Sequence, residues 1–207
     1  AAQFIRVLSR DHRQDRITIR NVSGVYRSFG FYLSAWDYKG KGYQGEFGHI
    51  FFENINLKQS RQDYTYTVPF LFRVSGKHQA LHLKNIYFYN PSDNRYVLFV
   101  EGRSDIPDIA DTPAEVDSLV IDGLHIQDDA AHSPQQRPYI QICGHVRNMI
   151  VRNSQVLAPA QDHPVTFLAV DGEFGKIDRL ALFQLLCRNV QEVVHDPNNA
   201  IAEITKE

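Results

Sequence analysis

The sequence predicts an all-β chain, wound as a right-handed, single-stranded parallel β-helix of about six coils. Three observations predict it. One unit recurs along all 207 residues, its strands alternate apolar and polar side chains, and no helical pattern separates one strand from the next. The clearest copy is residues 69–90, PFLFRVSGKHQALHLKNIYFYN. Phe70, Phe72 and Val74 alternate with Leu71, Arg73 and Ser75, Gly76 breaks the run, and Leu81, Leu83 and Ile86 resume it. Alternation over four to eight residues between turn residues is the signature of a strand.

The second half of the unit recurs as ITIRNV, IFFENI, LHLKNI, LVIDGL and MIVRNS. Within it Asn21, Asn54, Asn85, Gly123 and Asn153 hold one position, at intervals of 33, 31, 38 and 30 residues. A near-constant period of this size means stacked units. Parallel strands without a crossover helix require a coiled path in which each strand lies on its counterpart one turn earlier. Asn at a recurrent bend tolerates the left-handed backbone, and stacked amides can form a ladder. A β-sandwich would instead show Asn-Gly or Asp-Gly hairpins between neighbouring strands. The one Asp-Gly inside a repeat, Asp122-Gly123, occupies the Asn position. Leucine-rich repeats are shorter, at about 20–29 residues.

In order, the first half of the unit appears as FIRVLS (4–9), GFYLSAW (30–36), PFLFRVSG (69–76), YVLFVEG (96–102), YIQICG (139–144) and TFLAVDG (166–172). Phe4 already lies in a strand, with no amphipathic segment before it. The first rung is therefore expected to be covered by preceding coils of a longer protein, by a partner chain or by a second copy. Phe31 and Leu33 are expected to point inward, and the aromatics of 23–48, Trp36 among them, to pack a Gly-rich loop or stack on sugar rings. The polar, Pro-containing excursion 104–115 accounts for the long interval of 38. Residues 128–138 and 158–164 form two more polar loops. Leu180–Phe183 continues the strand phase, Cys187 and Val190 form a final turn, and residues 177–207 as a whole close the single domain as terminal coil and cap.

A formal net charge of −2 gives no electrostatic footprint for nucleic acid, and no apolar run approaches the ~18 residues of a membrane span. Two cysteines, Cys143 and Cys187, make neither a disulfide framework nor a metal-ligand spacing, and the histidines show no H-x-H or H-E-x-x-H pattern. No metal or cofactor is expected. Aligning the strands on Gly76, Gly102, Gly144 and Gly172 places Ser75, Glu101, Cys143 and Asp171 in one outward row. Arg73, Phe99, Gln141 and Ala169 form the next row, then Leu71, Val97, Tyr139 and Phe167. Glu101 and Asp171 fall two rungs apart, about 9–10 Å between backbones. Their carboxyls can approach the ~6.5–9.5 Å at which inverting glycosidases fit a water between acid and base. Read so, Glu101 and Asp171 are the candidate catalytic pair, and Arg6, Tyr32, Trp36, Arg73, Tyr139 and Gln141 line a track for a polysaccharide.

The run GFYLSAWDYKGKGYQGEFGHIFFENINLK (30–58), followed by PFLFRV (69–74), resembles the pectin-lyase-like superfamily, and most closely glycoside hydrolase family 28, the polygalacturonase group. The resemblance covers about 60 residues; beyond them only the repeat is shared. It implies a carbohydrate-active β-helix that binds or cleaves polysaccharide, at the cell surface or outside the cell. The family's catalytic acids belong to coils before this segment and have no counterparts here. Its pair of substrate-carboxylate cations falls on Tyr32 and Ser34. Asp128-Asp129 and Gly144-His145 follow the matching segment, so no family role passes to them, and they are expected to be solvated turn residues. The alternative is a non-catalytic module for glycan binding or assembly, such as part of a phage tail appendage or a cell-surface protein.

Overall fold

The computed structural model describes residues 3–10, 12–27, 29–35, 45–60, 70–90, 96–102, 113–129, 137–160 and 165–206. Along the chain run β1 (Gln3–Ser9), β2 (Arg13–Tyr26), β3 (Phe29–Ala35), β4 (Glu46–Gln59), β5 (Phe70–Ser75), β6 (Lys77–Asn90) and β7 (Tyr96–Val100). They are followed by β8 (Glu115–Asp128), β9 (Ile140–Ile142), β10 (His145–Leu157), β11 (Thr166–Val170), β12 (Lys176–Arg188), β13 (Glu192–His195) and β14 (Ile201–Lys206). Odd strands form one seven-stranded sheet and even strands another, each in simple sequence order. Every pairing is parallel, and Phe52 lies directly against Leu83 of the following turn. The chain is a parallel β-helix.

Each long even strand bends once, at the recurrent Asn. Asn21, Asn54, Asn85 and Asn153 have φ between 52° and 57°, and Gly123 has φ 79°. An L-residue in this left-handed region shifts the in–out alternation by one. In β4 the buried positions are Ile50 and Phe52 before the bend, then Ile55 and Leu57 after it. Inward residues are thus separated by three positions across the bend, as they also are between Phe47 and Ile50 near the start of the strand, and by two elsewhere, so one strand lines more than one wall of the same core. Asn54 Nδ2 donates to Asn21 Oδ1 at 3.0 Å, and Asn85 Nδ2 donates to Asn54 Oδ1 at 3.1 Å. Gly123 has no side-chain amide, and there Asn153 Nδ2 donates to Asp122 Oδ1 at 2.7 Å instead.

Stacking repeats inside and outside. Phe31 and Phe72 stack at 5.1 Å between centroids, and Phe52 meets both edge-on at 4.7 and 5.0 Å. Such ring geometry adds about 0.5–1.5 kcal/mol per pair beyond burial. On the exposed face Arg20, Glu53, Lys84, Asp122 and Arg152 share one row. Glu53 is bonded from both sides, by Arg20 at 3.0 Å and Lys84 at 3.1 Å. Signs alternate because like charges one rung apart would repel. At the corner between β5 and β6, Gly76 has φ 77°, and a Cβ there would lie 1.8 Å from the Ala35 carbonyl oxygen. Only glycine fits.

The last turns differ from the sequence expectation. β12 runs through Arg188 with its bend at Gln184 (φ 49°), so Cys187 belongs to a strand rather than to a final turn. β13 and β14 then complete a seventh turn. The EVVH of β13 is too short and lacks the Gly-ended pattern of the earlier odd strands, which hid it.

Two predictions follow from the core. Asn54→Ala loses a left-handed residue and both of its ladder bonds, and is expected to cost about 2 kcal/mol in urea unfolding, with Asn54→Gly costing less. His78 is buried, stacks on Phe47 at 5.0 Å, and lies 3.0 Å through Nε2 from the Ser75 carbonyl. Burial lowers its pKa from 6.5 to about 4, against a smaller opposing effect of the Ser75 bond. The folded value lies below the unfolded one, so the unfolded chain takes up the proton first. Stability is full above pH 6.5 and falls toward pH 4, by about 1.4 kcal/mol per unit. Denaturation curves for His78→Gln should lack this component; an unchanged pH slope would refute it.

Candidate functional site

The outward face of the odd sheet carries the predicted row in register. Arg6, Tyr32, Arg73, Phe99, Gln141, Ala169 and His195 follow one another on successive strands. In the adjacent row, Cys143 N donates to the Val100 carbonyl and Asp171 N to the Ile142 carbonyl, so Glu101, Cys143 and Asp171 stack on successive rungs. Glu101 and Asp171 are therefore two rungs apart, as their alignment on the glycines implies.

Exposure divides this flank. Tyr32 is buried, with the Arg6 guanidinium 5.1 Å and the Arg73 guanidinium 4.9 Å from its centroid. Phe29, Tyr32 and Phe70 form a small apolar cluster outside the main core, joined by Leu8 and Tyr96. Arg73 Nη2 donates to Glu101 Oε1, and the two side chains are 14% and 4% exposed. Toward β11 the flank opens: Phe99 and Cys143 are half-buried, and Asp171 and His195 are exposed. Tyr96 and Phe99 stack there at 5.1 Å, and Arg137 Nη1 donates to the Tyr96 hydroxyl at 3.0 Å.

Among the described residues, Glu101 Oε2, Gln141 Nε2 and Ser34 Oγ are buried on this flank without a hydrogen-bond partner. Glu101 Oε2 is an acceptor and Gln141 Nε2 a donor, on neighbouring strands of the sheet. The Gln141 side chain interacts with the Cys143 thiol and works against the rise in its pKa. Burial, reinforced by Asp171, pushes the Cys143 thiol up to about 11, so it stays protonated and is no nucleophile at neutral pH.

Three expectations need correction. Tyr139 is not on the outward face: it is 1% exposed and belongs to the main core with Leu71, Val97 and Phe167. Alternation fails at the strand start, where Leu71 and Phe72 both turn inward at the corner. Asp128 is not solvated. It is 2% exposed, accepts from the Tyr139 hydroxyl at 2.6 Å and from Asn90 Nδ2 at 3.0 Å, and pins the corner before β9. Burial, then Asp128, raises the Tyr139 pKa, so the phenol remains a donor. His145 also has a partner, Asp178 Oδ2 at 3.0 Å. Trp36 lies outside the described residues.

Sequence reasoning missed Arg137, Asp178 and Lys176. The last two were findable from the period, since Lys176 sits one repeat after His145. Arg137 offers no such signal. Among the described residues no group of three or more His, Cys, Asp or Glu side chains is placed to hold a metal, and no helix is long and apolar enough to cross a membrane.

The Arg73–Glu101 pair generates a prediction. Removing Arg73 alone strands a buried carboxylate and is expected to cost about 3–5 kcal/mol, whereas replacing both residues by Met should cost much less. A double-mutant cycle in thermal unfolding checks this; additive losses would mean that the pair is not coupled. No protein-family model, no curated protein and no solved structure matches the chain.

Proposed function

We propose that this chain is a glycan-binding β-helix whose ligand lies along the flank of the odd strands, centred on Gln141, Glu101, Asp171 and the Tyr96–Phe99 ring pair. The observation that carries the reading is that the Gln141 amide and Glu101 Oε2, on neighbouring strands, lack a full set of hydrogen-bond partners among the described residues. Buried polar atoms are almost always hydrogen-bonded, so a donor and an acceptor left together on one surface favour an external partner. A sugar diol supplies both complements, since each hydroxyl donates and accepts. Stacked rings beside it offer an apolar surface for a sugar face. A linear ligand suits a row repeated over seven strands, about 29 Å from end to end. The resemblance of residues 30–74 to the pectin-lyase-like superfamily and the polygalacturonase group supports a polysaccharide as the class of ligand.

Binding is favoured over cleavage. Hydrolysis by two carboxylates needs one acid and one base flanking the scissile bond. Asp171 is exposed, but Glu101 is held through Oε1 in its ion pair with Arg73. Cleavage would require that ion pair to open.

Affinity electrophoresis over a panel of polysaccharides, paired with a reducing-sugar assay, tests the reading. The expected result is retardation by at least one polymer without turnover, and weakening by about tenfold in Gln141→Ala. Turnover lost in both Glu101→Gln and Asp171→Asn would establish a hydrolase instead. Absence of retardation by every polymer would sink the glycan reading.

A further inference from the structure

We propose that the outward wall of the even strands, on the stretch before the Asn bend, is a surface on which a second copy of this chain docks with its coils running the opposite way. Three rows cross this wall in register from β2 to β12. The middle row is Thr18, Phe51, His82, Val120, Ile150 and Ala181, and all of these except Thr18 are half-buried. On one side runs Arg20, Glu53, Lys84, Asp122, Arg152 and Phe183; on the other runs Arg16, His49, Ala80, Ser118, Asn148 and Arg179. A largely apolar row between polar ones has the layout of an interface core and its rim. The glycan flank lies on the odd strands, so this surface does not rest on the reading given there.

Charge selects the occupant and its direction. A two-fold axis lying along the strands leaves each row opposite itself and reverses the order of its rungs. Placed between β6 and β8, it sets Lys84 opposite Asp122 and Glu53 opposite Arg152, each pair twice. Signs that alternate along a row become complementary when the row is reversed about a point between two rungs. An axis on a strand would instead set Lys84 or Asp122 against its own copy. An axis along the coils would put Arg16 opposite Arg20 and form no pair between a carboxylate and Arg or Lys. Relief agrees with charge: the Lys84 and Arg152 side chains are 56% and 51% exposed, whereas Glu53 and Asp122 are 26% and 24%, so projecting cations meet recessed acids. In the middle row His82 falls opposite Val120 and Phe51 opposite Ile150. On the outermost rungs Arg16 falls opposite Arg179, at the rim, where Asp178 and Asp15 of the opposing copies adjoin them. Face-to-face sheets pack about 10 Å apart. The wall is about 29 Å by 20 Å, or about 1,200 Å² over two copies, at the lower end of specific interfaces. Association is therefore expected to be reversible at micromolar concentration.

Sedimentation equilibrium at low salt and about pH 7.5, from about 2 to 200 µM, tests this. The mass is expected to rise with concentration from 23.8 kDa toward twice that value. Glu53→Arg and Arg152→Glu each bring like charges together between copies, and each should stay monomeric at the highest concentration. Mixed in equal amounts they should form a dimer again, since each presents the sign that the other lacks. The ion pairs within each chain stay broken in the mixture, so recovery cannot come from the fold of either variant. Ser118→Arg touches no ion pair and adds bulk opposite Ala80, and it too should stay monomeric. A monomer at the highest concentration would overturn the proposal, as would a dimer that survives Ser118→Arg. Folded Glu53→Arg and Arg152→Glu chains that fail to associate when mixed would overturn the antiparallel arrangement; should either variant unfold, Ser118→Arg alone decides.

Discussion

Along the paired strands of this chain, each residue has the residue one turn later as its nearest neighbour along the solenoid, about 4.8 Å away. That spacing governs side chains as strictly as it governs the backbone ladder. Whatever occupies one rung must tolerate a similar group directly above and below it. Asparagine meets the condition at the bend, where its amide donates to one rung and accepts from the next. Phenylalanine meets it inside, where Phe31 and Phe72 lie face to face. Charged residues meet it by alternating sign, as in Arg20, Glu53 and Lys84.

Departures from this rule mark where the chain does something other than stack. At Gly123 the amide ladder lapses, and Asp122 takes over the bond to Asn153. Along the odd-strand flank the row passes from Tyr32 through Arg73 and Phe99 to Gln141, four side chains that do not resemble one another. Here the cover of the outer face changes as well, from the clamped Tyr32–Arg73–Glu101 end to the open Cys143–Asp171 end. Polar atoms left without a partner among the described residues at that transition are a feature that rung-to-rung stacking does not require.

Buried polar groups play two different parts. Asp128, Asn90 and the Tyr139 hydroxyl satisfy one another at a corner and fix how β9 enters the coil. Arg73 and Glu101 are paired but leave a carboxylate oxygen over. A satisfied network rigidifies a corner, whereas a polar atom left over in a buried pair is costly.

Period and alternation determined the coil, the register that sets Phe52 on Leu83, the left-handed bend at Asn, and the order of the outward rows, because all of these follow from local backbone preference repeated at fixed spacing. Whether an outward residue meets solvent was decided only by the tertiary structure. Tyr32, Glu101 and Gln141 are outward yet buried, since exposure depends on what packs over a face and not on which face a residue occupies. Tyr139 turned inward because alternation fails at a corner, where the backbone changes direction between sheets. Asp128 was buried for the same reason, its carboxylate drawn in by partners that only the coil brings together.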